Sequence, residues 1–300
     1  MSIYSQISGN KFRTGLIFLL FIFLVTGFFY LVGIYSGSSS TYFVIGLIFS
    51  LFSTAGSYFF SDKIVLLTVG AKPALKKEFF DYYTVTENIS VAAGLSMPKL
   101  YIMRDSSPNA FATGRDPKHS IVCVTTGLLE CLDRVELEAV IAHEISHIKN
   151  YDILLMSVVA VLVGTVALVA DLMMRNMWWS GVRSRDNDRD RGGNPLFIIF
   201  MIFIFILTPL VATLIQLAIS RKREFLADAN GALLTRFPEA LARALEKISS
   251  NPRPMATATT STAHLFISNP FKKGKGSNWL LGLFSTHPPV EDRIRILRSM

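Results

Sequence analysis

The stretch AHEISHIKN, Ala142 to Asn150, sets two histidines four residues apart with a glutamate directly after the first. Only 5 histidines occur among 300 residues. A shuffled chain of this composition would contain His-Glu-x-x-His about 0.003 times, so coincidence is a poor account of it. The pattern offers metal chemistry. Residues four apart on a helix lie one above the other on the same face, so His143 and His147 can offer ring nitrogens to one ion while Glu144 leans over the neighbouring edge. Zinc suits imidazole, and a catalytic zinc site takes three protein ligands and leaves the fourth position to water. Such an ion brings that water's pKa towards neutrality, and a nearby carboxylate can take its proton during attack on an amide carbonyl. Glu144 is placed for that task. The competing account is a surface helix carrying two solvated histidines.

A third ligand has to come from elsewhere. ISRKREFLADANGALL predicts a second helix on which Glu224 and Asp228 again stand four apart. Glu224 can ligate the ion, and Asp228 can accept a hydrogen bond from the far nitrogen of a ligating histidine, fixing its tautomer. Spacing alone equally allows both to pair with Arg221, Lys222 and Arg223. Position adds an argument: the histidine helix ends just before one apolar run and Glu224 follows just after another, so both groups meet at one bilayer surface.

The elements that position these residues are legible in outline. DRVELEAVIAHEISHIKNYD has apolar residues at helical spacing, Val135, Ala139, Ile141, Ala142, Ile145 and Ile148, which puts the motif on an amphipathic helix. Upstream, KLYIM (Lys99 to Met103) and SIVCVTTGLL (Ser120 to Leu129) read as strands of a small sheet or hairpin, separated by the turn-rich SSPNAFATGRDPKH.

The surroundings are a membrane. The chain is 51% hydrophobic and 17% charged, with 23 phenylalanines, against about 25% charged in soluble domains. Thr14 to Ser61 holds no charge over 48 residues, enough for two spanning helices. A break at SGSSST gives helices near 14–35 and 42–61. The first apolar core is too long for a cleaved signal peptide. Two further runs, Ile153 to Ala170 and Gly192 to Ser220, can each span, the latter kinked at Pro209. A re-entrant third run is the rival reading.

Lys11, Arg13, Lys63, Lys72, Lys76, Lys77 and Arg221 to Arg223 place the N-terminus and both polar pieces on the cytoplasmic side. The loop VRSRDNDRDRGGN disagrees with that rule, with four arginines against three aspartates. The net charge of +8 is then flank charge facing anionic lipid, and no basic stripe with interleaved aromatics calls for nucleic acid. Cys123 and Cys131 match no structural zinc spacing and read as buried thiols. His119 and His264 match no ligand pattern and are expected in solvent.

AHEISHIKNYD, SPNAFATGRDPKHSIVCVTTGLL, REFLAD and the terminal STHPPVEDRIRIL together resemble the HtpX-type membrane zinc endopeptidases, gluzincin-class proteases related to the CAAX prenyl proteases. The likeness spans most of the chain. It implies one zinc held by His143, His147 and Glu224, with Glu144 as acid/base. It implies that Asn109, Ala110, Phe111, Ala112, Thr113 and Gly114 form an exposed edge strand on which a substrate backbone adds as a further strand. It implies His287, with Arg293 six residues on, as stabilisers of the oxyanion, and Asn150 and Asp152 as supporting or helix-ending residues.

The reading that follows is a mainly α integral membrane protein with four transmembrane helices and a cytoplasmic α+β zincin-like domain containing a small sheet. Residues 1–61 form a first helix pair and 153–220 a second, while 62–152 and 221–300 are two parts of one protease domain. The resemblance implies a bacterial-type inner membrane, polypeptide substrates drawn from damaged or misfolded membrane proteins, and quality control under stress. A CAAX-type processing peptidase and a non-catalytic metal-binding scaffold are the alternatives. The Ser/Thr/Gly-rich stretch 251–282 reads as a segment that gates or covers the cleft.

Overall fold

The computed structural model describes residues 3–183, 220–251, 253–271 and 288–300. Outside the described residues lie the fourth apolar run up to 219, the Arg/Asp-rich loop beyond Arg183, the basic stretch beyond Phe271 and His287.

The two leading helices are longer than their uncharged core: α1 runs Ile3–Tyr35 and α2 Ser39–Val69. Lys11, Arg13, Asp62 and Lys63 therefore sit inside helices rather than ending them; the long Lys and Arg stems lie along apolar surface with their charged heads free to reach water. What breaks the chain between them is Gly37, with φ +71, and what ends α2 is Gly70, left-handed at φ 67, its amide turned back on Leu66 and Leu67. The pair packs closely at Gly46, where an added Cβ would stand 2.5 Å from the Phe29 Cβ.

The third long helix, α6, runs Asp152–Arg183. These are three helices long and apolar enough to cross a membrane. They differ in what they face: 61% of the most apolar window of α6 is buried inside the protein, against 17% for α2. α6 is thus the helix around which the others gather, with Leu155, Val158, Val159 and Leu162 packed on Ile17, Phe21 and Val25 of α1.

The remaining elements make an α+β body. β1 (Lys72–Pro73), α3 (Phe80–Ala93), β2 (Lys99–Met103), β3 (Ala110–Gly114), β4 (Ser120–Thr125), α4 (Thr126–Cys131) and α5 (Arg134–Lys149) precede α6; α7 (Arg221–Thr235), α8 (Pro238–Ser250) and α9 (Val290–Leu297) follow it. The sheet order is β1-β2-β4-β3. β2 and β4 pair in parallel and β3 and β4 antiparallel, so the hairpin partner of β4 is the stretch that sequence read first as turn. Residues 126–129, read as the end of a strand, open α4 instead, capped by the Thr125 hydroxyl, which accepts from Leu128 N.

α5 starts on a capping box: Asp133 accepts from Glu136 N at 2.8 Å, and Glu136 accepts from Asp133 N at 3.0 Å. It is not amphipathic beyond its first turn. Val135 is exposed, yet every residue from Ala139 to Ile148 is buried, because the sheet, α3, α7 and α8 enclose it. Gly231 of α7 lets that enclosure close at the motif, since a Cβ there would lie 3.1 Å from His143 N. Of the two cysteines, Cys123 is buried and Cys131 only partly so; both are free.

Candidate active site

The convergence of α5 and α7 brings three ligand-type side chains together. His143 Nε2 and His147 Nε2 lie 3.1 Å apart. Glu224 Oε2 is 3.9 Å from His143 Nε2, and Oε1 is 3.5 Å from His147 Nε2. Two donors each about 2.0–2.2 Å from one tetrahedral zinc stand roughly 3.3–3.5 Å apart. The observed separations bracket that value, and the donor set of two imidazoles and a carboxylate is one that zinc takes. All three groups are buried.

Behind each histidine stands a carboxylate, and behind each carboxylate an arginine. His143 Nδ1 is 2.9 Å from Asp228 Oδ1, a short contact whose alignment falls outside that of a full hydrogen bond. Asp228 is gripped in two places by Arg293, from Nε at 2.8 Å and Nη2 at 2.6 Å. Arg293 Nη1 also lies 3.7 Å from Glu224 and donates to Ile267 O at 3.3 Å. On the other side, His147 Nδ1 is 3.1 Å from Asp152 Oδ2. Asp152 Oδ1 accepts from Arg223 Nη1 at 3.1 Å and from Asn10 Nδ2 at 2.8 Å.

These neighbours set the charges. Burial drives the Glu144 carboxyl up to about 7, against His147, Arg293 and the Ala112 N–H, which favour its ionised form. Burial lowers His143 despite Asp228. His147 goes the other way: burial opposes its charge, but the Asp152 hydrogen bond and Glu224 carry it to about 9. Burial would favour a neutral Asp228, yet Arg293 holds it at about 2.

The stretch Asn109 to Gly114 is an edge strand beside this site but not an exposed one; every residue of β3 is buried. Part of its outward backbone is already met. Ala110 O accepts from Ile267 N at 2.9 Å and Gly114 N donates to Ser157 Oγ at 3.3 Å, while the Ala112 N–H lies towards Glu144 and favours its ionised form. Asn109 clasps the same covering segment, donating to Ser268 O at 2.9 Å and accepting from Ser268 N at 3.2 Å. Phe266 then stacks edge-on against Phe111. Within the described part of the stretch read as gating, residues 264–268 thus lie on the strand edge. His264, expected in solvent, is buried there, its Nε2 3.0 Å from Met156 O; His119 is exposed beside Asp116.

Of the residues singled out from sequence, the structure gathers His143, Glu144, His147, Glu224, Asp228 and Arg293, and sets Asn109 to Gly114 alongside. Asn150 is buried at the end of α5, but its side-chain amide makes no hydrogen bond among the described residues; it is its carbonyl that accepts, from Asn10 at 3.0 Å. Asn10 and Arg223 were not foreseen as part of the site. Arg223 read as flank charge, and one asparagine near the start of an apolar helix carries no pattern. Tyr151 is the joint between these parts. Its backbone is left-handed at φ 59, unusual for an aromatic residue, and it turns the chain so that Asp152 folds back on His147.

A family model described as peptidase family M48 matches residues 77–300. A protease HtpX homolog from Thermoanaerobacter pseudethanolicus is 52% identical over 240 residues, covering 80% of this chain and 78% of that one. A protease HtpX homolog from Dictyoglomus thermophilum is 46% identical over 297 residues, covering 99% and 94%. The crystal structure of S. mikatae Ste24p aligns with a TM-score of 0.48 at 19% identity, over 94% of this chain and 62% of that one; the chain thus spans about three fifths of that protein's length.

Proposed function

The chain belongs to peptidase family M48, and from that premise we propose that it is a membrane-bound, zinc-dependent endopeptidase of the HtpX type. The observation that carries the reading is the meeting of His143, His147 and Glu224 at ligand spacing, with Glu144 buried on the same helix face. His143, His147 and Glu224 would hold the ion. When bound, zinc supplies Lewis acidity toward the scissile carbonyl and the attacking water.

The protein's own residues do the rest. Glu144, with an affinity for protons near neutrality, takes a proton from water and returns it to the leaving amine. Arg293, buried 3.7 Å from Glu224, is a fixed cation beside the site, placed for developing negative charge in this reading. His287 remains the family's candidate for the same task. The substrate backbone aligns along β3, whose Ala112 N–H lies towards the base, and residues 266–268 yield or slide to admit it.

Residues 62–152 and 221–300 act as one protease domain at the cytoplasmic face, with polypeptides from the bilayer as substrates and the removal of damaged membrane proteins as the role. The positive flanks of α1 and α2 support that orientation.

The test is metal content and casein cleavage on detergent-purified wild type and Glu144→Gln, with metal-free protein as control. The expected result is one zinc in both, cleavage reduced at least 100- to 10,000-fold in the variant, and recovery of stripped wild type by zinc. Undiminished cleavage by Glu144→Gln would remove the base assignment. Zinc in both with no cleavage by either would favour a CAAX-type processing enzyme or a scaffold.

A further inference from the structure

A second cavity, of about 590 Å³, opens between the start of α1, α2, the turn after β3 and the start of α6. Its size falls in the range of small-molecule sites. Three cations line it from two separate parts of the chain: Lys11 on α1, and Arg115 and Lys118 in the β3–β4 turn. One anion, Asp116, stands among them, and its charge is already engaged. It lies 3.5 Å from Arg115 Nε and 2.9 Å from His119 Nδ1, and accepts from the amides of Lys118 and His119. Apart from Thr14, whose hydroxyl donates to Asn10 O at 2.9 Å, the rest of the lining is apolar or aromatic, including Phe18, Tyr58, Tyr151 and Leu154.

The cavity's level is fixed by the charge pattern. The uncharged runs begin at Thr14 on α1 and Ile153 on α6 and end at Ser61 on α2, so all three helices pass from apolar to charged sequence at its wall. Basic pockets between membrane helices at that depth suit the headgroups of acidic lipids, with acyl chains leaving along the apolar flank. The side chains are arranged for such a ligand: the Lys11 ammonium sits 4.5 Å over the Tyr151 ring and the Arg115 guanidinium 5.7 Å from the Phe59 ring centroid, so ring faces position both cations, and the one carboxylate beside Arg115, Asp116, is shared with His119 and two backbone amides.

We propose that this cavity binds the phosphate headgroup of an anionic membrane phospholipid. The inference depends on the helices lying in a bilayer and not on the peptidase reading. Lys11 and Tyr151 are chain neighbours of Asn10 and Asp152, so the headgroup braces the turn from which Asp152 reaches His147.

The test is native mass spectrometry of the full chain released from nanodiscs of phosphatidylglycerol or phosphatidylcholine, with lipid affinity then titrated in detergent. Wild type should retain phosphatidylglycerol preferentially. Lys11→Ala/Arg115→Ala/Lys118→Ala should weaken that retention by about a hundredfold, from roughly 1 kcal/mol per basic residue. The single reversal Lys118→Glu, at an exposed position, should lose about tenfold or more without altering the unfolding temperature of lipid-free protein. Lys72→Ala/Lys76→Ala/Lys77→Ala removes equal charge elsewhere and should leave retention unchanged. Equal loss from that control, or no preference for phosphatidylglycerol in wild type, would overturn the proposal. Competition by millimolar inorganic phosphate with no lipid preference would identify a free-anion site and overturn the lipid assignment. None of these readouts uses peptidase activity, so failure of either reading leaves the other testable.

Discussion

The two histidines of the motif are backed by relays of the same kind, histidine to carboxylate to arginine, yet the relays end in different parts of the molecule. His143 leans on Asp228 and Arg293, and Arg293 ends on Ile267 O, in the segment that covers the edge of β3. His147 leans on Asp152, which ends on Arg223 and on Asn10 of the first membrane helix. One candidate ligand is therefore tied to the edge strand β3, and the other to the long apolar helix α1. The difference teaches that the candidate metal site is not a self-contained feature of the α+β body: its second relay is incomplete without α1, which lies wholly outside the segment matched by the family model.

The largest expected effect comes from breaking the first relay at its end. Arg293 is buried against Asp228 and Glu224, and removing one partner from a buried ion pair leaves the other uncompensated. Arg293→Met should cost about 3–5 kcal/mol of stability, read as a lower thermal unfolding temperature in detergent; an unchanged temperature would mean the guanidinium is not what holds those carboxylates.

The carboxylates come next and make the comparison direct. Asp228→Asn and Asp152→Asn should each lower zinc retention by about 10- to 100-fold in chelator competition. Loss confined to Asp228→Asn would show the membrane-side relay to be idle.

A smaller effect isolates the membrane helix. Asn10→Ala removes hydrogen bonds to Asp152 and Asn150 O and one accepted from Arg223; the bond to the Asp152 carboxylate is the one that bears on His147, worth about 1.5 kcal/mol, and its loss should weaken zinc retention about tenfold. Combined with Asp152→Asn it should add little, because both changes act through one contact. Full additivity would place the effect of Asn10 elsewhere.

The smallest expected effect lies on the strand side. Asn109→Ala frees Ser268 from its clasp and loosens the segment over Ala110. KM for a peptide substrate should fall by about fivefold or less with kcat held, since each lost bond is worth about 1 kcal/mol. A rise in KM would show that the segment is a wall of the binding groove rather than a competitor for it.

How much was legible depends on the range of the interaction. The motif helix, the strand Lys99–Met103 and the apolar helices follow from periodicity and capping, which act over a few residues. The start of α1 and the end of α2 lie beyond the uncharged run, because a helix tolerates charge, while the end of α1 at Tyr35 falls where the sequence puts it. β3 was hidden in a turn-rich stretch because its burial comes from Phe266, Ser157 and α5 rather than from its own alternation. Val135 looked like core and is exposed; His264 looked solvated and is buried.

The sequence by itself determined that His143 and His147 share a helix face with Glu144 between them, since four residues make about one turn whatever surrounds them. It also determined that the chain carries long apolar helices flanked by positive charge. Only the tertiary structure decided which carboxylate backs which histidine, that the edge strand is covered, and that Asn10 reaches a relay more than a hundred residues away. Those outcomes depend on where helices cross and chains turn, at Gly231 and at Tyr151, and no local pattern encodes a distance between segments that meet only when the core has closed.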